Sequence, residues 1–262
     1  MMNAPQCPQC KIPTITTLHW QAPKFRICRR CGIIFRDPFP NETNLASLYG
    51  QSWEIPNHNT TETGSTDADI AGTLARGLAK TIGRSLAGLR VLDYGAGRGA
   101  MTRELIKRGA DVVAVEPFGY DFLTQRGVLT YRRLSDLPNA LRFDGIVAIE
   151  VIEHLRDPRH VLETLYEQLL PGGWLLITTP NAAGLPAKLM GHRWREAAKP
   201  GHIVFFTPAA LRRTMHAIGF HHIERPCWFI RYAHASRLRA LVHFGLQWLA
   251  VDGGLRVVAY KE

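Results

Sequence analysis

The sequence predicts an α/β fold, a doubly wound and mainly parallel sheet with helices on both faces, joined to a small cysteine-rich N-terminal ribbon. Three observations carry that expectation. Short apolar runs alternate with helix-like stretches from residue 68 onward. One run, RVLD, passes straight into a glycine-rich turn, YGAGRG, and a helix-like MTRELIKRG. Two Cys-x-x-Cys pairs, CPQC and CRRC, fall within the first 31 residues. The chain divides accordingly into a ribbon over 1–40, a linker over 41–67 and an α/β domain over 68–262.

Length and composition set the bounds. At 262 residues the chain suits one sizeable domain and an appendage. Its 46% hydrophobic and 21% charged residues are ordinary for a globular protein. There is no run of 18 apolar residues, so no transmembrane helix is expected. The start, MMNAPQCPQC, lacks the apolar core of a signal peptide, and a cytoplasmic location is expected. The net charge of +10 is unevenly spread. Residues 1–36 hold Lys11, Lys24, Arg26, Arg29, Arg30 and Arg36 without one acid, and 182–250 are similarly basic against only Glu196 and Glu224. Such faces favour a polyanion, an anionic membrane surface or a phosphorylated small substrate, with plain solubility as the alternative.

In a reducing compartment, Cys7, Cys10, Cys28 and Cys31 read as one tetrahedral zinc site, each knuckle giving two thiolates from a tight turn. Four thiolates leave no open coordination position, so this Zn²⁺ is structural, and it supplies folding free energy that so short a segment lacks. Two disulfides or a redox dithiol are the alternatives. Cys227, in CWFI, is expected to be a buried thiol.

The α/β elements follow in order. Residues 68–86 show helical spacing of Ile70, Leu74, Leu78, Ile82 and Leu86. Strands are expected at 89–93, 111–116, 128–132, 143–150 and 173–179. Helices fall between them at 99–108 and near 119–126, and from Pro158. A helix over 208–218 ends at Gly219, and HIERPCWF and LRVVAYKE are the last strand candidates. Residues 54–66 read as a mobile connection. An amphipathic helix lies between 230 and 250, with Leu238, Leu241, Val242, Leu246 and Leu249 on one side. It is expected to pack on the core or a dimer mate rather than on lipid.

In a doubly wound sheet, ligands bind at the carboxyl ends of the strands. The glycines at 95, 97 and 99 let the backbone turn sharply and let a ligand lie against it. The helix that follows aims its free N–H groups and positive dipole end at the turn. Seventeen residues after Gly99 stands Glu116, at a second strand tip where a ribose diol would be held.

The Gly-x-Gly-x-Gly spacing, with Asp93 before it and VVAVE after it, resembles class I S-adenosylmethionine-dependent methyltransferases, which are Rossmann-like. The resemblance implies that Asp93, Gly95, Ala96, Gly97 and Gly99 border the methionine and ribose of S-adenosylmethionine. It also implies that Glu116, followed by Pro117, binds the ribose hydroxyls, and Asp136 is a loose match to the adenine contact. The stretch CGIIFRDPFPNETNLASLYGQSW looks like the linker of bacterial methyltransferases with an N-terminal zinc ribbon, whose ribbon and linker lean over the substrate side.

A second constellation closes strand four: Glu150, Glu153 and His154, with His202 further on, after Thr179-Pro180-Asn181. Two carboxylates and two imidazoles suit a divalent cation, with Mg²⁺, Mn²⁺ and Zn²⁺ all admissible. The order resembles small-RNA 2′-O-methyltransferases and ubiquinone-pathway O-methyltransferases, both of which act on adjacent oxygens. The resemblance implies a metal that acidifies one hydroxyl, with His154 or His202 as base. Without a metal, Glu150 and Glu153 shape the cofactor pocket and His154 caps the turn or acts as base.

The expected function is methylation of a hydroxyl on a small, nucleotide-linked or lipid-linked metabolite, such as a vicinal diol or a catechol. Residues 182–205 form much of the acceptor wall, and Lys188, Arg193, Arg195 and Lys199 suit an anionic or phosphate-bearing acceptor. The alternatives are RNA methylation, with RNA tracked by the basic ribbon, and a non-catalytic zinc-ribbon binding protein.

Overall fold

The computed structural model describes residues 6–11, 16–20, 22–54, 67–228, 237–249 and 251–262. Two sheets organise them. The ribbon contributes β1 (Thr16–His19), β2 (Ala22–Cys28) and β3 (Ile34–Arg36), which form an antiparallel meander. Next comes α1 (Glu42–Glu54), in the segment expected to be a linker; the Asn41 side chain accepts the Asn44 N–H at 2.8 Å to start it. The mobile connection expected at 54–66 lies outside the described residues from 55 on.

The α/β domain opens with α2 (Asp67–Thr81), which buries Leu74, Ala75 and Leu78 and stops short of the expected residue 86. Then follow β4 (Arg90–Tyr94), α3 (Ala100–Lys107), β5 (Asp111–Val115), α4 (Tyr120–Thr124), β6 (Leu129–Tyr131) and β7 (Phe143–Ile149). After them run α5 (Pro158–Gln168) and β8 (Leu169–Pro180). Pro158 sits in the first turn of α5 and the Asp157 carboxylate accepts the His160 N–H, which explains its sharp start.

The stretch 182–205 is more regular than an open loop. It holds α6 (Leu185–Met190), α7 (Arg195–Ala198) and β9 (Val204–Phe205). The domain closes with α8 (Pro208–Ile218), β10 (His222–Glu224), α9 (Arg237–Trp248) and β11 (Gly254–Tyr260).

The large sheet has the order β10-β11-β8-β7-β4-β5-β6. Strands β4 to β8 pair in parallel, whereas β11 lies antiparallel against β8 and β10. β4 is flanked by β5 on one side and β7 on the other, so the order reverses there and a crevice opens at the carboxyl ends. The small sheet has the order β1-β2-β3-β9, so the stretch 182–205 contributes a strand to the ribbon. Shared burial follows: Cys7, Cys28, Ile33 and Phe35 sit in the same core as Ile146, Ile177 and Met215.

One packing expectation fails. Cys227 is exposed, and the buried neighbour is Trp228, whose indole packs over Gly77 and donates to Thr81 Oγ1 at 3.1 Å. One residue of register in a non-strand segment decides which side chain turns inward. In α9 and just after it, Val242, Phe244, Trp248 and Leu249 are exposed and Leu246 is half-buried, so the described apolar side chains are only partly covered within the chain. Leu238 and Leu241 lie outside the described side chains. Among the described residues no helix is long and apolar enough to cross a membrane.

Candidate functional site

The glycine turn lies at the carboxyl end of β4. Gly95 has φ +73° and hydrogen-bonds the Val115 carbonyl; a Cβ there would come within 2.5 Å of Val151. Gly97 has φ +54° and open space where a Cβ would stand, so its bare backbone faces the crevice. Gly99 caps α3, whose first N–H groups point back at the turn. Ala96 is nearly buried beneath.

Glu116, at the end of β5, reaches across to this turn. Its Oε2 accepts the Gly97 N–H at 2.8 Å, and Oε1 accepts the N–H groups of Phe118 and Gly119 at 2.9 and 3.2 Å. The carboxylate therefore fixes the glycine loop and keeps a lone pair on Oε2 for a further donor. Pro117 is exposed beside it.

Asp93 is buried under the turn, 1% exposed, and accepts the Thr102 hydroxyl at 2.5 Å. Burial, aided by the nearby Glu116 charge and opposed by Thr102, pushes its pKa up to about 6. Asp93 thus pins α3 to β4 from below. Asp136 is exposed and its carboxylate accepts the Arg133 N–H at 3.0 Å, closing its own turn. These features fit a nucleotide cofactor: a Cβ-free backbone face, a helix N-terminus and an acid with a spare acceptor at one crevice.

The second cluster lies where β7 ends. Glu150 adopts φ +54°, a left-handed conformation that a non-glycine residue holds at a cost of about 1–3 kcal/mol. It is solvent-accessible, and its Oε1 accepts the Thr178 hydroxyl at 3.0 Å. Glu153 is completely buried; Oε2 accepts the Thr179 hydroxyl at 2.9 Å, and Oε1 receives no hydrogen bond among the described residues. Burial, reinforced by the Glu150 charge, raises its pKa well above the usual carboxylate range.

His154 Nδ1 stands 2.9 Å from the Gly201 carbonyl and 3.0 Å from the Tyr49 hydroxyl, which itself donates to Gly201 at 2.9 Å. A carbonyl oxygen this close to Nδ1 requires Nδ1 to carry a proton, so the lone pair of the neutral ring is on Nε2. Burial lowers the His154 pKa and keeps the ring neutral. His202 packs edge-on against it at 4.7 Å. Burial, helped by the nearby cations Lys199, Arg36 and Arg195, holds His202 down at about 2.

The four expected cation ligands do not all meet. Glu153, His154 and His202 each offer an atom within 4.8 Å of the others, whereas Glu150 falls outside this set and pairs with Thr178. An orphaned buried carboxylate oxygen facing two neutral imidazoles fits a divalent cation by donor chemistry. Sequence reasoning did not single out Tyr49 as a polar partner of His154, nor Gly201 or Thr179; each comes from a segment remote from the residue it orients.

The cysteines converge. Cys7 and Cys31 Sγ are 3.6 Å apart, Cys10 and Cys28 are 3.9 Å apart, and all four lie within 4.8 Å of one another. Thiolates bound to one tetrahedral zinc at about 2.3 Å stand about 3.8 Å apart, so the four sulfurs fit that ion. The hydrogen bond from Cys31 lowers the Cys7 thiol to about 6.

The basic residues divide. Arg195 and Lys199 both bind the buried Glu196, at 2.6 and 2.7 Å, and Lys11 and Arg26 pair with Asp157 and Asp37. Lys188 and Arg193 line an open groove of about 640 Å³ with Trp20, Leu189 and Met190.

A family model described as a methyltransferase domain matches residues 67–225. The ubiquinone biosynthesis O-methyltransferase of Azorhizobium caulinodans is 33% identical over 153 residues, covering 52% of this chain and 60% of that protein. The mitochondrial ubiquinone biosynthesis O-methyltransferase of Homo sapiens is 35% identical over 127 residues, covering 41% and 34%. The chain thus spans no more than 60% of either relative's length. The 1,6-didemethyltoxoflavin-N1-methyltransferase of Burkholderia thailandensis, solved with S-adenosylhomocysteine, superposes with a TM-score of 0.53 at 17% identity, covering 94% and 98% of the two chains, which shows the shared fold. With the glycine turn, the sheet order and the family match together, the chain belongs to the S-adenosylmethionine-dependent methyltransferases.

Proposed function

We propose that the protein methylates a hydroxyl oxygen of a small acceptor, with a lipid-linked catechol the class that the resemblance to ubiquinone-pathway O-methyltransferases favours. The observation that carries this reading is His154: a neutral imidazole with Nδ1 bound to Gly201 and Tyr49, leaving Nε2 as a base. S-adenosylmethionine, when bound, supplies an electrophilic methyl group. Glu116 and the Gly95–Gly99 backbone hold the donor, and Asp93 keeps the helix behind it in place. His154 takes the acceptor's hydroxyl proton at Nε2, and the oxygen forms its bond to the methyl carbon as the carbon–sulfur bond breaks. Alignment of the two partners supplies most of the remaining acceleration.

A divalent cation held by Glu153, His154 and His202 is the alternative to this base, since it would occupy His154 Nε2 and would itself lower the pKa of a hydroxyl on a vicinal pair. Cys7, Cys10, Cys28 and Cys31 would hold a structural zinc. Lys188 and Arg193, which line the open groove, would bind an anionic part of the acceptor. The test is methyl transfer from labelled S-adenosylmethionine to a catechol probe, run with wild type and His154→Ala. A rate unchanged by His154→Ala contradicts the assignment of the base.

A further inference from the structure

Arg36 ends β3, five residues past Cys31, and its side chain leaves the ribbon altogether. Nε donates to the His202 carbonyl at 2.8 Å, and Nη2 donates to the carbonyls of Ala197 and Lys199 at 2.6 and 2.8 Å. Its backbone N–H donates to the Ile203 carbonyl at 3.0 Å, and the Ile203 N–H donates in turn to the Glu153 carbonyl at 2.9 Å. One residue therefore grips 197, 199, 202 and 203. That same segment contains Gly201, whose carbonyl orients His154, and His202 itself.

The Ala197 carbonyl comes at the end of α7, where backbone acceptors lack helical partners, and the Lys199 carbonyl accepts the His202 N–H at 3.1 Å besides Arg36. Arg36 is half-buried and no carboxylate pairs with it among the described residues, so the carbonyls are its counter-dipoles. A planar guanidinium presents its N–H groups in a fixed fork, which a lysine ammonium cannot reproduce. The strand that carries Arg36 is fixed on both edges, by β2 and by β9, and Cys28 and Cys31 flank the turn that feeds it. Further ties hold the ribbon down: Gln9 donates to Thr214 Oγ1 at 2.7 Å and Arg213 to the Cys31 carbonyl at 3.2 Å.

We propose that Arg36 is a positioning residue for methyl transfer, anchoring segment 197–203 to the cysteine ribbon and thereby aiming His154 and His202. This rests on the acceptor-side reading above. No atom of Arg36 is assigned a contact with the donor, so its loss separates alignment from cofactor binding.

The test uses the full chain with Arg36→Ala and Arg36→Lys, S-adenosylhomocysteine calorimetry, catechol methylation and hydrogen exchange at residues 197–203. Arg36→Ala is expected to bind S-adenosylhomocysteine within about twofold of wild type while kcat falls about a hundredfold. The Ile203 amide is expected to exchange faster, and added guanidinium ion to restore part of the rate, a rescue that general destabilisation would not show. Arg36→Lys is expected to stay folded and yet exchange fast at Ile203. Wild-type exchange at Ile203 in Arg36→Lys overturns the proposal, and so does a hundredfold loss in Arg36→Ala that guanidinium leaves untouched. If Arg36→Ala transfers normally while His154→Ala does not, the anchoring role fails alone; if His154→Ala transfers normally, the functional reading beneath it fails.

Discussion

The two sides of the crevice are built differently. On the β4–β5 side the features that fit the cofactor are backbone: three glycines with positive φ, a helix N-terminus and one acid that bonds three N–H groups. Those parts lie within 27 residues of chain, from Arg90 to Glu116. On the β7 side the features are side chains held from distant parts of the chain: His154 by the Tyr49 hydroxyl and the Gly201 carbonyl, Glu153 by the Thr179 hydroxyl, and the backbone of segment 197–203 by Arg36. Those parts come from five separated stretches. A pocket made of backbone survives most substitutions around it, whereas one made of side-chain relays fails when any relay is cut.

The largest expected effect is on the relay side. His154→Ala should lower methyl transfer by about 10² to 10⁴, the range for a general base, with S-adenosylhomocysteine affinity kept. Comparable weakening of cofactor binding would erase the division between the two sides. Glu116→Ala should act the other way. Three backbone N–H groups lose their acceptor, so both donor affinity and melting temperature should fall, by about 1–3 kcal/mol for each donor that stays buried.

The pH dependence gives a smaller effect. Asp93 titrates at about 6 in the fold against about 3.9 in an unfolded chain. The folded protein then binds more protons than the unfolded one between those values, so Asp93 lowers stability as pH rises from about 4 to about 6. Asp93→Asn should flatten that part of a melting-temperature profile. A profile of the same slope in both proteins would show that Asp93 ionises normally. The smallest effect belongs to Asp136→Ala: its carboxylate closes its own exposed turn, so cofactor affinity should stay within about twofold, and a tenfold loss would make it an adenine contact.

The same contrast explains what the sequence disclosed. Helix α8 was legible in full, because Thr207, Pro208 and Gly219 mark its ends chemically. The glycine turn and Glu116 were legible because spacing along the chain carries a backbone-made site. Expectations failed where long-range packing decides. The linker's α1 has little apolar stripe to announce it, yet it delivers Tyr49 to His154. Trp228 rather than Cys227 turns inward because Gly77 leaves room for an indole. Glu150 falls outside the ligand set of Glu153, His154 and His202 and pairs with Thr178, a partner 28 residues away that no local pattern signals. Pairing of β9 with β3 was equally hidden, since two residues of strand give no periodicity.

The most direct measurement is a calorimetric titration of S-adenosylhomocysteine into wild type, Glu116→Ala and His154→Ala. Separate cofactor and acceptor sides require wild-type affinity in His154→Ala and a loss of at least tenfold in Glu116→Ala. Equal affinities for wild type and Glu116→Ala would contradict a donor held between the glycine turn and the tip of β5.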